Sequence, residues 1–490
     1  MRSVLRSTLM LSGSSFASIL VGLVSAKVWA ILLGPRGVGL MGLLQSLLGL
    51  AALVMSLGIG AGLVSMGASA LAQGDDARFA ALRRAGWRLN WLASGLALLL
   101  MTVFRVPISR WMLGGPQFAG AVLLVSLALL FQLASSIQTS LLNAHHRVAA
   151  LARVGVLSSV LGTAASLAVV GIWRGRGIAL AVIVNAVLGW IVSAYFLRRE
   201  IAPPATPPAR GQVAEEGRAL LRFGAPYAAS QMVGAGVQFA LPALVLHTLS
   251  VESVGFYRSA MSVSGVYLGF LLLAMGQDYY PRVSAVSEQP DELGQLVNQQ
   301  HRLVMLIAAP LILVLLAVTP YLIPLIYSAE FAPAAQVLEW QLIGDLFKFA
   351  SWTMGFVILA RRYSLTLFLV ELLAGVNILV FSRLGIHWFG LAGLGLAYLL
   401  TYLVHYVVVW LIVRKDIGLV WTAQNKLMLL AATLAAFTVR VLPAIGLERF
   451  RTPVALSLGL LAGAWSLHVI WREAGLQSFV RAWLGRTRST

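Results

Sequence analysis

Apolar positions fall in long blocks along this chain, and the blocks recur at short intervals. A helix needs about 20 apolar residues to cross the hydrocarbon of a bilayer, and a window of that width fits fourteen segments. Six lie near residues 8–33, 38–71, 89–104, 118–142, 154–173 and 178–197, and six more near 223–248, 253–278, 302–327, 334–360, 365–383 and 388–413. The last two lie near 427–447 and 452–471. The first block follows Arg2 and Arg6. It is too long for a secretory leader and is followed at once by a second block, so it reads as a first span. The pattern predicts an all-α integral membrane protein.

The longest polar stretch, Arg198 to Arg222, carries Pro203, Pro204, Pro207 and Pro208 and reads as an extended linker. It divides six spans from six. The expected organisation is therefore an amino-terminal six-helix lobe over 1–197, a cytoplasmic linker over 198–222 and a second six-helix lobe over 223–413. Two additional helices and a cytoplasmic tail would follow over 414–490. The halves also show a short match, which reads as an internal repeat or as a chance recurrence of Gly-Val-Gly turns: Leu33-Gly34-Pro35-Arg36-Gly37-Val38-Gly39-Leu40-Met41 aligns with Leu249-Ser250-Val251-Glu252-Ser253-Val254-Gly255-Phe256-Tyr257 at an offset of 216 residues. An even number of spans per half makes this a parallel repeat, with its axis along the membrane normal.

Charge orients the chain. Of 36 Lys and Arg, 24 fall in segments that are cytoplasmic if the amino terminus is inside, and nine fall in the outside loops. Fourteen spans with both termini cytoplasmic follow from that asymmetry. A net charge of +19 would suggest nucleic acid as a partner in a soluble protein. Here 59% of residues are hydrophobic, 11% are charged and the mean hydropathy is +0.87, so the basic loops account for the excess and no nucleic-acid partner is expected. Trp87, Trp111, Trp173, Trp388, Trp421 and Trp471 fall near span ends, where indoles favour the interface. With no cysteine, disulfides and thiolate chemistry drop out.

Few motifs suggest covalent chemistry. Gly37-Val38-Gly39-Leu40-Met41-Gly42 matches G-x-G-x-x-G, but it lacks the strand and the later acidic residue of a dinucleotide site. It reads as a tight turn into a span where small residues let helices approach, as do Gly58, Gly60, Gly62, Gly390, Gly393 and Gly395. There is no Walker motif, nucleophile elbow or usable metal-ligand pair. No catalytic residue, metal or cofactor is expected, and the chain reads as a non-enzyme.

Charges inside spans carry more information, because each costs at least about 2.5–3.5 kcal/mol at mid-membrane unless it meets water or a partner. Lys27 and Arg258 lie towards the outer third of their spans, Asp345 and Lys348 mid-span with Glu339 one to two turns away, and Glu371 and His405 in the inner third. Snorkelling is the other reading of Lys27 and Arg258, and a structural i, i+3 pair that of Asp345 and Lys348. Gln45, Gln132, Gln138, Asn185, Gln231, Gln238, Gln341 and Asn377 add neutral polar groups inside spans. Together these residues point to a hydrated cavity, although interhelical hydrogen bonding accounts for some. Glu339, Asp345 and Glu371 are the candidate ion-coupling carboxylates. An adjacent Lys348 disfavours Asp345 as the group that changes charge, whereas desolvation of a lone carboxyl favours Glu339 or Glu371, a hydrogen-bonded structural role being the other reading of both.

Two stretches carry a family resemblance: Ser25-Ala26-Lys27 with Leu33 through Leu40, and Gln341-Leu342-Ile343-Gly344-Asp345-Leu346-Phe347-Lys348 with Ser351-Trp352 and Ala360-Arg361. They resemble the Wzx-type O-antigen and common-antigen flippases of the multidrug/oligosaccharidyl-lipid/polysaccharide exporter superfamily, over about the first 413 residues. The resemblance implies two six-helix lobes forming a V around a cationic cavity that opens alternately to each side of the inner (plasma) membrane. It implies an undecaprenyl-pyrophosphate-linked oligosaccharide as substrate, with glycan polymerase and chain-length proteins as partners. Lys27, Arg258 and Lys348 would then offset desolvation of the anionic headgroup, Gln45, Gln238 and Gln341 would meet sugar hydroxyls, and the polyprenyl tail would stay in membrane lipid. The two further carboxyl-terminal helices depart from the usual twelve and are shared with lipid II flippases. A lipid II-type flippase, a drug/cation antiporter of the same superfamily and a non-transporting scaffold for glycan assembly remain alternatives.

Overall fold

A computed structural model describes residues 2–202 and 208–473, with side chains from residue 21 onward except at 230, 233, 266–268, 270–274 and 277. The helices are Arg2–Ser56 (α1), Ile59–Ala72 (α2), Asp76–Val103 (α3), Arg105–Leu113 (α4), Ala119–Ala144 (α5), Val148–Trp173 (α6), Ile178–Glu200 (α7) and Arg210–Thr248 (α8). They continue as Val251–Ala274 (α9), Tyr280–Ala285 (α10), Pro290–Ile326 (α11), Ala334–Ala360 (α12), Ser364–Phe389 (α13), Ala392–Ile417 (α14), Ala423–Val441 (α15) and Glu448–Glu473 (α16). No strand occurs among the described residues, and helix covers each of the fourteen apolar blocks.

Nine described stretches are long and apolar enough to cross a membrane, or eleven if each of two bent pairs makes one crossing. One of the nine, Val148–Glu200, contains a reversal. Arg174 takes φ +51°, the Ser166 hydroxyl donates to the Ala181 carbonyl at 3.0 Å, and Gly162 lies against Asn185, so α6 and α7 double back on one another. Gly34 breaks α1 in the same place as the Gly-Pro dipeptide, at φ 63° and ψ −176°, a conformation open to glycine.

The polar stretch after α7 is shorter than expected. Pro203, Pro204 and Pro207 lie outside the described residues, but Arg210 to Arg222 is helical rather than extended. Val213 and Leu220 are spaced to share one face, and both are buried in a cluster with Leu63, Leu82 and Ala85. Glu216 anchors the same segment to Arg78 of α3 at 2.9 Å. The third span also starts earlier than the apolar block: α3 begins at Asp76, where the Asp75 carboxylate accepts from the Arg78 N–H at 2.8 Å and caps the helix.

Contacts gather the chain into two compact units. One holds the chain through Ser259 together with Leu325–Phe331, and the other holds Ala260–Pro324 and the chain from Ala332 onward. Small residues set close helix approaches within each. Glycine is required where Gly58 meets Gly224, and where Gly393 meets Gly385 of α13, because an added Cβ would run into backbone. Of the tryptophans expected at interfaces, Trp111, Trp173, Trp388 and Trp471 are exposed. Trp421 is not: it is buried and packs on the His301 ring at 4.4 Å.

His145, in the turn after α5, packs edge-on against Phe79 at 4.7 Å. Burial holds its pKa below the ordinary imidazole value, opposed by a hydrogen bond with the Leu141 carbonyl and reinforced by Arg147 and Arg83. A base with a depressed folded pKa binds fewer protons folded than unfolded, so its stabilising effect is complete above about pH 6.5 and is lost as pH falls. The thermal midpoint of detergent-purified protein is expected to drop less between pH 7.5 and 5.5 in His145→Gln than in the parent. An equal drop would assign the acid sensitivity elsewhere.

Candidate translocation site

In the second unit, α12 and α14 approach closely because Gly344 faces Tyr398 and Leu399, and Gly395 faces the Val337 carbonyl. That approach brings together side chains 50 or more residues apart in sequence. Asp345, fully buried, accepts from the Tyr398 hydroxyl at 2.7 Å and from the Ser264 hydroxyl at 3.2 Å. Tyr398 in turn accepts from the Lys348 ammonium at 3.0 Å, so one phenol links the cation to the carboxylate. Three rings surround the ammonium: Trp352 at 4.8 Å, Tyr398 at 5.3 Å and Tyr402 at 4.6 Å. Aromatic faces stabilise a cation without neutralising it, by about 2 kcal/mol or more each where water is excluded. Tyr398, Tyr402 and His405 recur at helical spacing along one face of α14, and Trp352 lies one turn beyond Lys348. Trp352, Tyr398 and Tyr402 were assigned no site role from sequence, although that periodicity, aligned with a mid-span lysine, was a usable signal.

The other candidates of this unit lie apart from that cluster or at its margin. Gln341 is fully buried, with its amide nitrogen 3.1 Å from the Met261 sulfur. Glu371 occupies an exposed position on α13. Glu339 is buried between two arginines of the carboxyl-terminal helices: Arg440 of α15 lies 3.1 Å away, and Arg451 of α16 donates to the other carboxylate oxygen. Arg451 also donates to the Leu316 carbonyl at 3.3 Å, and Arg440 packs over the Trp340 ring at 5.0 Å. A carboxylate held by two guanidiniums is suited to joining helices, since uncharging it would leave two buried cations.

In the first unit, residues at the 216-residue offset touch. Arg36 pairs with Glu252 at 3.8 Å, Gly39 lies against Gly255, and the Arg258 guanidinium donates to the Gly42 carbonyl at 2.7 Å. The contacts advance together every three residues, so the second part of α1 and the start of α9 run parallel and in register. Arg258 therefore fastens this helix pair. Lys27 is half-buried on α1, and Gln238 is exposed on α8.

Gln45 lines a pocket of about 500 Å³ between α1, α5 and α7. Its polar lining is Gln45, Gln132, Ser135, Ser136, Thr139 and Asn185, and its apolar lining includes Met41, Leu48, Val182 and Ala186.

A family model described as polysaccharide biosynthesis protein matches residues 28–336, more than half of the chain. The chain belongs to this family. It is 24% identical over 423 residues to the lipid III flippases of Escherichia coli (strain K12) and Shigella flexneri, covering 82% of this chain and 96% of each relative. Its fold is that of the multidrug/oligosaccharidyl-lipid/polysaccharide exporter superfamily. A structure of the lipid II flippase MurJ superposes with a TM-score of 0.70 at 14% identity, covering 95% of this chain and 99% of that one. An inward-facing multidrug resistance MATE family transporter gives 0.66 at 17% identity, covering 82% and 94%. This family member thus has a transporter's helical framework, with a cation held mid-helix in one unit and a neutral polar pocket in the other.

Proposed function

We propose that the protein is a flippase that carries an undecaprenyl-pyrophosphate-linked oligosaccharide, such as an O-antigen repeat unit, across the bacterial inner membrane by alternating access. Fourteen crossings with both termini cytoplasmic belong to this reading. Family membership and likeness to the lipid III flippases support the class of cargo. The observation that carries it is the placement of Lys348 in the middle of a spanning helix, its Nζ among three aromatic rings and hydrogen-bonded to the Tyr398 phenol. A diphosphate headgroup loses its hydration on crossing, and a cation at that depth offsets the loss. A drug/cation antiporter needs carboxylates facing its cargo, whereas Asp345 is occupied by hydroxyl donors and Glu339 by arginines. A lipid II-type flippase is the second reading, favoured by an overlap with that fold over 95% of this chain.

Flipping in proteoliposomes tests the reading, with undecaprenyl-pyrophosphate oligosaccharide and lipid II as competing cargoes. Lys348→Ala is expected to slow transport roughly 10-fold or more at unchanged membrane abundance, on the basis of about 1.5–3 kcal/mol for a hydrogen bond to a charged group. Lys27→Ala and Arg258→Ala are expected to slow it less, with Arg258→Lys restoring part of the loss because the forked contact is missing. Glu371 is the carboxylate left for coupling, so Glu371→Gln is expected to remove any acceleration by an imposed proton gradient. Normal transport by all three neutralised variants would refute the cationic site, and a Glu371→Gln variant with the parent's gradient response would refute that coupling.

A further inference from the structure

The open pocket between α1, α5 and α7 has an unusual balance of groups for a membrane-spanning unit. Three primary amides, Gln45, Gln132 and Asn185, and three hydroxyls, Ser135, Ser136 and Thr139, line it, and no charged side chain does. The hydroxyls are partly committed. Thr139 donates to the Ser135 and Ser136 carbonyls at 3.1 and 3.0 Å, and Ser135 shares a hydrogen bond with Ser193 at 3.0 Å. The amides of Gln45, Gln132 and Asn185 have no hydrogen-bond partner among the described residues. Space for one of them is built in: a Cβ at Gly162 of α6 would lie 3.0 Å from the Asn185 amide nitrogen.

Each amide offers two N–H donors and a carbonyl acceptor. Gln45 and Asn185 are exposed and Gln132 is half-buried, and leaving such groups unmatched in apolar surroundings is costly, so they face water or a ligand that returns both kinds of bond. An ion of either sign finds no opposite charge in this lining. An uncharged ligand with many hydroxyl or acetamido groups finds donors and acceptors together, and Met41, Leu48 and Val182 provide an apolar wall for the C–H face of a sugar ring. The volume of about 500 Å³ falls within the roughly 300–1,000 Å³ of small-ligand sites. We propose that this pocket is a saccharide subsite that binds an uncharged, hydroxyl-rich sugar of the lipid-linked cargo through the amides of Gln132 and Asn185. The inference rests on the flippase reading, and it assigns sugar recognition to the unit that does not hold Lys348.

The test measures binding and transport separately, using full-length protein in nanodiscs and in proteoliposomes. The probes are undecaprenyl pyrophosphate and the same lipid bearing one N-acetylglucosamine. The parent is expected to bind the sugar-bearing lipid about 10-fold or more tighter than the bare lipid. Losing one neutral hydrogen bond costs roughly 1 kcal/mol, about fivefold. Gln132→Leu/Asn185→Leu should therefore abolish the preference while bare-lipid affinity stays within about twofold, which also reports that the variant is folded. Gly162→Ala, a milder change that crowds Asn185, should lower the preference by about threefold. Equal binding of both lipids by the parent, or a preference kept by the double variant, would overturn the subsite. Preferential binding without transport of either lipid would leave the subsite standing and remove the flippase reading. Transport of both lipids without preference would do the reverse.

Discussion

Glu339→Ala is expected to destabilise the protein by about 3–5 kcal/mol, the usual penalty for breaking a buried ion pair. The carboxylate is 4% exposed, and its partners Arg440 and Arg451 are 20% and 12% exposed, so solvent replaces little of what is removed. Both arginines belong to the carboxyl-terminal helices and Glu339 to α12, so the loss should appear first as loosening of α15 and α16. Thermal unfolding in detergent and limited proteolysis after Arg440 would measure it. Replacing all three residues with apolar side chains of similar volume should recover most of the stability, since such triads contribute little net energy when intact. If Glu339→Ala unfolds like the parent, the triad does not hold the helices.

The second large effect is expected at the parallel helix contact. A Cβ on Gly39 would fall inside the envelope of the Val251 carbonyl oxygen, and one on Gly255 inside that of Pro35. Backbone cannot rotate away as a side-chain tip can. Gly39→Leu is therefore expected to cost about 1–3 kcal/mol or more, the range for overpacking, and to reduce the yield of monodisperse protein. Gly49→Leu is the control, because Gly49 lies in the same helix with open space around it. Equal behaviour of the two variants would mean that α1 and α9 do not need this approach.

Much of the fold was legible in sequence, because membrane helices announce themselves locally: each block of apolar residues became helix, and the Gly-Pro at 34–35 became the break in α1. Local reading failed where apolar character was lower. Asp76 to Arg88 and Arg210 to Arg222 are helical, since their sparse apolar residues share one face, which a composition window averages away. The site was legible by residue and not by partner. Lys348 and Asp345 stood out as charges in a span, but the phenol joining them lies 50 residues from Lys348, on another helix. Glu339 looked like a lone carboxylate because its arginines lie 101 and 112 residues away. Periodicity gives the face of a helix, and only packing decides which helix meets it.

The three contacts at the 216-residue offset bear on how such a chain is assembled. In a symmetric pair of identical halves, residues on the two-fold axis face copies of themselves, so an arginine there would meet an arginine and a glycine could meet only a glycine. Gly39 and Gly255 keep that identity. Arg36 with Glu252 and Gly42 with Arg258 do not, since each is a complementary couple of unlike residues at equivalent positions. Joining two halves in one polypeptide permits such couples, because each position on the axis then varies independently of its counterpart. A version of this protein made from two separate, identical chains would have to give up the Arg36–Glu252 ion pair and the Arg258 bond to Gly42 together.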